Sequence, residues 1–230
     1  MAGSIITVIL RKILGGAVLA VLLIFSIGTA LTVAMRGQGL GVLGVAEWSA
    51  VRFTLWQACV SATLSVGIAI PVARALARQS FIGRQALITL LGAPFLLPVI
   101  VGVLGLLAVF GRAGWISGLL TWLGFAKLSI YGAPGVILAH VFFNLPLATR
   151  FLLQGWGSVP AERFRVAHSL VASPWAYFRL IEWPVLRSVV PGAFLLIFLL
   201  CLTSFAVALA VGGGPKGTTI ELAIYQAFRL

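Results

Sequence analysis

The sequence predicts an all-α, polytopic membrane protein, and its composition and charge distribution indicate this class. Of its 230 residues, 61% are hydrophobic and only 9% are charged, whereas about 25% of the residues of a soluble domain carry charge. The four acidic residues are all glutamates, so the chain contains no aspartate. These observations exclude an ordinary soluble globular domain and an intrinsically disordered chain.

Five uncharged runs are each long enough to cross a bilayer as a helix, which needs about 20 apolar residues. They lie at 13–35, 53–73, 85–111, 128–149 and 188–215, and they contain between 21 and 28 residues. Runs of this length do not alternate like barrel strands, so we expect five transmembrane helices. The first run is too long for the apolar part of a cleaved signal peptide, so we expect it to be retained.

The basic residues between the runs predict how the chain is oriented in the membrane. Ten Lys or Arg residues fall on one side and six on the other. Because cytoplasmic loops carry the excess of positive charge, we expect the side with ten, and the N-terminus, to be cytoplasmic. The net charge of +12 does not indicate a nucleic-acid partner, because the basic residues form no continuous patch.

Two connections have a recognisable character. Residues 112–127 carry Trp115 and Trp122 among apolar residues, which favours a helix at the outer membrane interface.

Residues 150–187 form the longest inner connection, predicted as two short helices. Ser173 and Pro174 form a helix start, and Pro184 is expected to end or kink that second helix near Trp183. Trp175, Phe178 and Ile181 would then form an apolar stripe that fits a partner's groove.

The segment at 159–186 resembles the coupling loop of permease subunits of ATP-binding-cassette (ABC) importers. The family pattern is Glu-Ala-Ala, three residues, Gly, nine residues and Ile-x-Leu-Pro. Ala167, Ile181 and Pro184 match it. The departures are Arg165 at the Glu position, Val166 at the first Ala, Val171 at the Gly and Trp183 at the Leu.

Over about 50–230, the chain resembles the N-terminal half of thiamine-importer permeases. The most specific part of this resemblance is GGGPKGTTIELAIYQA at 212–227. This resemblance implies a type I ABC importer permease fold, with five transmembrane helices present and a sixth missing after Leu230. It implies one permease domain at 1–230, the first half of a two-half permease, with a cytoplasmic coupling loop at 156–187. The location implied is the bacterial inner membrane.

The implied function is to form half of the translocation pathway for thiamine and its phosphate esters. The implied partners are ABC ATPase subunits, a second permease half, a periplasmic thiamine-binding protein and membrane lipid. No cofactor is expected on this chain, because ATP would bind the partner subunit. The alternatives are a related importer for ferric iron, sulfate or polyamine, or a membrane scaffold that transports nothing.

Two groups of residues are candidates for functional roles. Those expected to contact the ATPase from the coupling loop are Glu162, Arg163, Arg165, Ala167, Trp175, Phe178, Ile181 and Pro184. The alternatives are a solvated loop for the charged residues and packing onto the chain's own helices for the aromatic ones. Those expected along the translocation path are Gln57, Asn144, Glu221 and Tyr225. Interhelical hydrogen bonding is the alternative for the two amides, and stabilisation of a helix end is the alternative for Glu221.

The sequence offers little for catalysis. An enzyme in the membrane would need paired acids, metal ligands or a nucleophile with a base, and the two histidines are isolated. We therefore expect a transport component rather than an enzyme, with no metal site. His140, inside the fourth run, is expected to be a structural histidine held by hydrogen bonds.

Overall fold

The computed structural model describes residues 15–28, 31, 44–127, 129–160, 162, 173–212 and 217–229. The chain divides into two compact units, Met1–Leu43 and Gly44–Leu230. In the first unit, helix α1 at Gly15–Gly28 is apolar and its residues are exposed. It lies within the first predicted span.

The second unit is helical nearly throughout its described residues. Its helices are α2 (Val45–Arg78), α3 (Arg84–Leu90), α4 (Ala93–Leu96), α5 (Val99–Phe110), α6 (Trp115–Trp122), α7 (Ala133–Gly157), α8 (Pro174–Tyr177), α9 (Trp183–Leu202), α10 (Phe205–Val211) and α11 (Ile220–Arg229). Four segments of this unit are long and apolar enough to cross a membrane: Val45–Arg78, Val99–Trp122, Ala133–Gly157 and Trp175–Leu202. The predicted all-α, polytopic architecture is confirmed.

The uncharged run at 85–111 is not one helix, in contrast to the prediction of a single span. It is divided into α3, α4 and α5, with breaks on either side of α4. Leu97 has extended backbone angles, φ −78° and ψ 134°, as expected for a residue that precedes a proline. Pro98 then forms the N-cap of α5, where its missing N–H costs no helical hydrogen bond.

The run at 188–215 is also interrupted, because α9 ends at Leu202 and α10 begins at Phe205. Upstream, the helix does not end at Pro184, where the sequence predicted an end or a kink. A π-helical turn at Phe178–Glu182 leads directly into α9, with the Trp183 N–H donating to the Phe178 carbonyl. This wider turn accommodates the proline that follows it. The last residues of the predicted coupling loop, 174–187, are therefore continuous with the membrane-length helix.

The centre of the second unit is the packing of α2 against α7, with α9 in contact with both. The face of α2 that enters this core carries small side chains, Ala58, Ala62, Ala69 and Ala73, all of which are fully buried. Small residues at such spacing let helices approach closely, which is the main source of helix association in lipid. A second core joins α5, α7 and α10 around Val103, Val136 and Val207.

We predict that Gly155→Ala destabilises the chain, because Gly155 lies where α7 approaches α9. A Cβ added there would lie 2.6 Å from Cγ2 of Val189 and 3.3 Å from Cγ1 of Val185. Both neighbours are β-branched and cannot easily rotate away, so we expect a loss of about 1–3 kcal/mol. The measurement is thermal unfolding of the purified protein in detergent.

The matched control is Gly157→Ala, two residues further along the same helix. A Cβ at Gly157 has no heavy atom within 4 Å, so this variant should unfold at the wild-type temperature or slightly above it. Equal melting temperatures for the two variants would contradict the proposed close contact between α7 and α9.

Candidate coupling site and translocation path

A buried carboxylate joins the beginning of α9 to the end of α2. Glu182 is only 1% exposed. Arg74 donates from Nε to both of its oxygens, at 3.0 Å and 2.9 Å, and Arg78 Nε lies 3.3 Å from Oε1. A buried charge is costly unless it is paired and hydrogen-bonded. The two arginines, four residues apart on one face of α2, provide that compensation.

Aromatic side chains extend this ion-pair cluster. The Arg78 guanidinium carbon lies 4.4 Å from the centroid of the Tyr177 ring, within the range of a cation–π interaction. The rings of Trp175 and Phe178 stack with their centroids 5.5 Å apart. Trp175 is 69% exposed, whereas Phe178 packs against the core that α2, α7 and α9 form. The Trp175 ring is therefore exposed, and the Phe178 ring beneath it packs against the helix core.

Five of the eight residues predicted for the coupling loop are described. Glu162 is exposed and takes part in an interaction of its own. Ile181 is buried, and Pro184 is exposed in the first turn of α9. Arg163, Arg165 and Ala167 lie outside the described residues. Contact of this segment with an ATPase stays a prediction, and its exposed aromatic surface is centred on Trp175.

Sequence reasoning did not select Glu182, Arg74 or Arg78 as functional residues. The signal was present in part, because Glu182 is one of only two acids in the basic connection at 150–187 and the two arginines are spaced by about one helical turn. What the sequence could not show is that residues separated by 108 positions meet. This contact depends on how α2 and α9 pack against each other.

Gln57 and Asn144, two of the predicted path residues, converge on the end of α9. Gln57 is fully buried, and its Nε2 donates to the Cys201 carbonyl at 3.1 Å. Asn144 Nδ2 donates to Cys201 Sγ at 3.4 Å. These are interhelical hydrogen bonds, the alternative considered for both amides. Their place along a path stays a prediction, and Asn144 also lines a cavity described below.

Glu221 and Tyr225, the other two predicted path residues, lie on α11. This helix is joined to α2, because the Ile220 N–H donates to Thr54 Oγ1 at 3.0 Å. Thr219 Oγ1 accepts from the Leu222 N–H at 3.4 Å, which caps the first turn of α11. Tyr225 packs against Phe205, with ring centroids 5.4 Å apart. Glu221 Oε2 is buried and has no partner among the described residues.

His140 differs from its prediction as a structural histidine held by hydrogen bonds. It is 3% exposed, and neither ring nitrogen has a hydrogen-bond partner among the described residues. It borders a cavity of about 180 Å³, together with Asn144 on the same helix and Ser204 at the break between α9 and α10. In the described part of the chain, no three His, Cys, Asp or Glu side chains are grouped as a metal site requires.

Known proteins similar to this chain are permeases. The chain is 51% identical over 181 residues to the thiamine transport system permease protein ThiP of Salmonella typhimurium, covering 78% of this chain and 34% of that protein. It is 43% identical over 224 residues to the corresponding ThiP of Brucella abortus, covering 94% and 41%. No family model matches the chain.

The fold agrees with this sequence relationship. A crystal structure of a bacterial alginate ABC transporter, in complex with its alginate pentasaccharide-bound periplasmic protein, contains a similar chain. The TM-score is 0.72 at 16% identity, covering 97% of this chain and 83% of that one. The chain therefore shares its fold with a chain of an ABC transporter, and its sequence is homologous to ThiP proteins over most of its length. It spans between a third and two fifths of the length of the ThiP relatives that it matches.

We predict that loss of Arg74 and Arg78 together destabilises the chain more than loss of Glu182. The double variant R74A/R78A leaves a buried carboxylate without its counter-charges, for which we expect about 3–5 kcal/mol. In E182L the remaining arginines are more than 40% exposed and can turn to water, so a smaller loss is expected. Thermal unfolding in detergent measures both.

The control variant R179A/R187A removes two exposed arginines near the same end of α9 and should leave the unfolding temperature nearly unchanged. If E182L lost as much stability as R74A/R78A, burial of the carboxylate would not be the dominant cost.

Proposed function

We propose that this chain forms the transmembrane permease half of an ABC importer for thiamine and its phosphate esters. The observation that carries the proposal is the sequence match to ThiP proteins, which continues at 43% identity along 94% of the chain. Similarity at this level over nearly every helix is difficult to reconcile with a membrane scaffold that transports nothing. The chain itself would catalyse no reaction, and ATP would be hydrolysed on a separate subunit.

The proposed coupling surface is the end of the bundle where α2, α8 and α9 meet. An exposed Trp175, stacked on an anchored Phe178, suits insertion into an apolar groove of a cytoplasmic ATPase. The Glu182 ion pairs hold this segment against α2. Motion imposed on the aromatic surface by the ATPase would therefore reach α2 and α9 together.

The proposed partners complete the transporter around this half. A second permease half would close the pathway in the membrane, and a periplasmic thiamine-binding protein would deliver the solute from outside. The membrane would be the bacterial inner membrane. The coupling end is assigned to the cytoplasm, because the basic residues concentrate on that side. This orientation places Trp115 and Trp122 at the opposite interface.

Uptake of labelled thiamine tests the substrate assignment. A strain without the gene encoding this chain should take up far less thiamine than the parent, and the restored gene should return uptake to the parental level. Labelled sulfate and spermidine serve as control solutes, whose uptake should not change. Unchanged thiamine uptake in the deletion strain would overturn the substrate assignment.

We predict that Trp175→Ala weakens ATPase binding by the permease by about tenfold or more, the scale expected when an exposed aromatic anchor is removed. Co-purification of the ATPase with the tagged permease, followed by a titration, measures the loss. Trp122→Ala is the matched control, because Trp122 is similarly exposed, at 81% against 69%, but lies at the proposed outer interface. A loss with Trp122→Ala instead would reverse the proposed orientation.

A further inference from the structure

His140 is a buried polar side chain whose ring nitrogens have no hydrogen-bond partner in the described part of the chain. It lies within α7, in a segment long and apolar enough to span the membrane. Leaving a buried donor or acceptor unsatisfied carries a real free-energy cost. Polar side chains inside a membrane bundle usually bond a neighbouring helix or mark a functional site. Because no helix supplies a partner within the described residues, a ligand-binding role is the physical alternative.

The cavity beside His140 lies where two of the apolar stretches are interrupted. Pro94 in α4, Leu97 in the break after it and Val99 at the start of α5 border it on one side. Ser204 borders it from the break between α9 and α10. Irregular backbone at membrane depth is tolerated only when protein buries it or when it lines a cavity. Both interruptions therefore have the placement expected of backbone that borders a binding site.

Three polar side chains converge on this cavity. His140 and Asn144 are four residues apart on α7, so they face the same way. Ser204 occupies the N-cap position of α10, yet its hydroxyl makes no capping hydrogen bond. An uncharged imidazole offers one N–H donor and one nitrogen acceptor, and the amide and hydroxyl add further donors and acceptors.

The remaining lining defines the class of ligand. Among the described residues, no Lys, Arg, Asp or Glu borders the cavity, and the other lining residues are apolar and include Phe143. A phosphate or an ammonium group would find no counter-charge there. The volume of about 180 Å³ is below the roughly 300 Å³ at which pockets for drug-sized ligands begin, so it fits a single ring.

We propose that this cavity binds an uncharged, planar nitrogen heterocycle of the transported solute, with His140 as its hydrogen-bonding anchor. Resting on the proposed function, the assigned group is the aminopyrimidine ring of thiamine. Its ring nitrogens accept and its amino group donates, which complements His140, Asn144 and Ser204. The cationic thiazolium would lie outside the cavity.

Two thiamine analogues separate the two rings of the solute. Oxythiamine replaces the pyrimidine amino group with an oxo group, and pyrithiamine keeps the aminopyrimidine but replaces the thiazolium with a pyridinium. The complete transporter is reconstituted in lipid nanodiscs without the periplasmic protein, and the dissociation constant of each compound is measured by calorimetry. We expect wild-type protein to bind thiamine and pyrithiamine similarly, and oxythiamine about tenfold more weakly.

His140→Leu should weaken thiamine and pyrithiamine about tenfold while changing oxythiamine little, so that the discrimination disappears. His140→Gln keeps a donor and an acceptor, so it should retain part of the discrimination against oxythiamine. Ser204→Ala is a milder change, for use if the His140→Leu transporter does not assemble. Ser61→Ala is the matched control, since Ser61 Oγ is also buried and unpartnered but lies outside the cavity. It should bind all three compounds as wild type does.

The outcomes separate this inference from the proposed function. If cells take up thiamine through the transporter but His140→Leu still discriminates against oxythiamine, the cavity assignment is wrong and the transport proposal stands. An equal loss for all three compounds would also overturn the assignment, because it would indicate a general structural defect. If the wild-type transporter neither binds nor carries thiamine, the proposed function fails, and the assignment that rests on it fails too.

Discussion

The close packing of α2 against α7 and α9 is the interaction on which the rest of this structure depends. In lipid, burial of apolar side chains gives little drive for helices to associate, because lipid tails are as apolar as leucine. Van der Waals contact between closely packed helices and interhelical hydrogen bonds must therefore hold the helices together. The fully buried alanines of α2 allow close packing by letting the helix backbones approach. The hydrogen bonds from Gln57 and Asn144 to Cys201 join the helices.

This packed core allows the interruptions elsewhere in the chain. A helix exposed to lipid cannot leave its backbone groups unpaired, so breaks such as those at Pro98 and Ser204 need surrounding protein. The cores that α7 forms with α2 and α9 on one side, and with α5 and α10 on the other, supply that protein. The cavity at His140 thus lies beside α7, the helix that takes part in both cores.

The sequence predicted the class of fold well, because the absence of charge over about 20 residues reports directly on hydrocarbon length. It was less informative about whether each run forms one continuous helix. An uncharged run such as 85–111 has the same composition whether it folds as one helix or as several. Local signals were present at Pro98, but Pro71 and Pro146 lie inside unbroken helices. Whether a proline breaks a helix depends on neighbouring helices, which no local pattern contains.

The candidate functional residues show the same difference between local signals and contacts made by packing. Trp175 and Phe178 were predicted from their spacing, because an apolar stripe is a local property of one helix. His140 was predicted to be hydrogen-bonded, the commoner state of a buried histidine. Only the packing shows that no described neighbour bonds its ring nitrogens. Glu182 was missed for the opposite reason, since its partners lie on α2. Both errors concern contacts between distant segments rather than the character of the residues.

The contacts between α2 and α9 also connect distant parts of the fold. The two helices are bonded near one end by Glu182 with Arg74 and Arg78, and near the other by Gln57 with Cys201. From residue 182 to residue 201 a helix rises about 28 Å at 1.5 Å per residue. These bonds at both ends hold α9 along α2. Cys201 is also bonded to Asn144 of α7, so the same residue connects this helix pair to the helix that carries His140. The ion pair at Glu182 and the cavity at His140 are therefore connected through α9 and its contacts with α2 and α7.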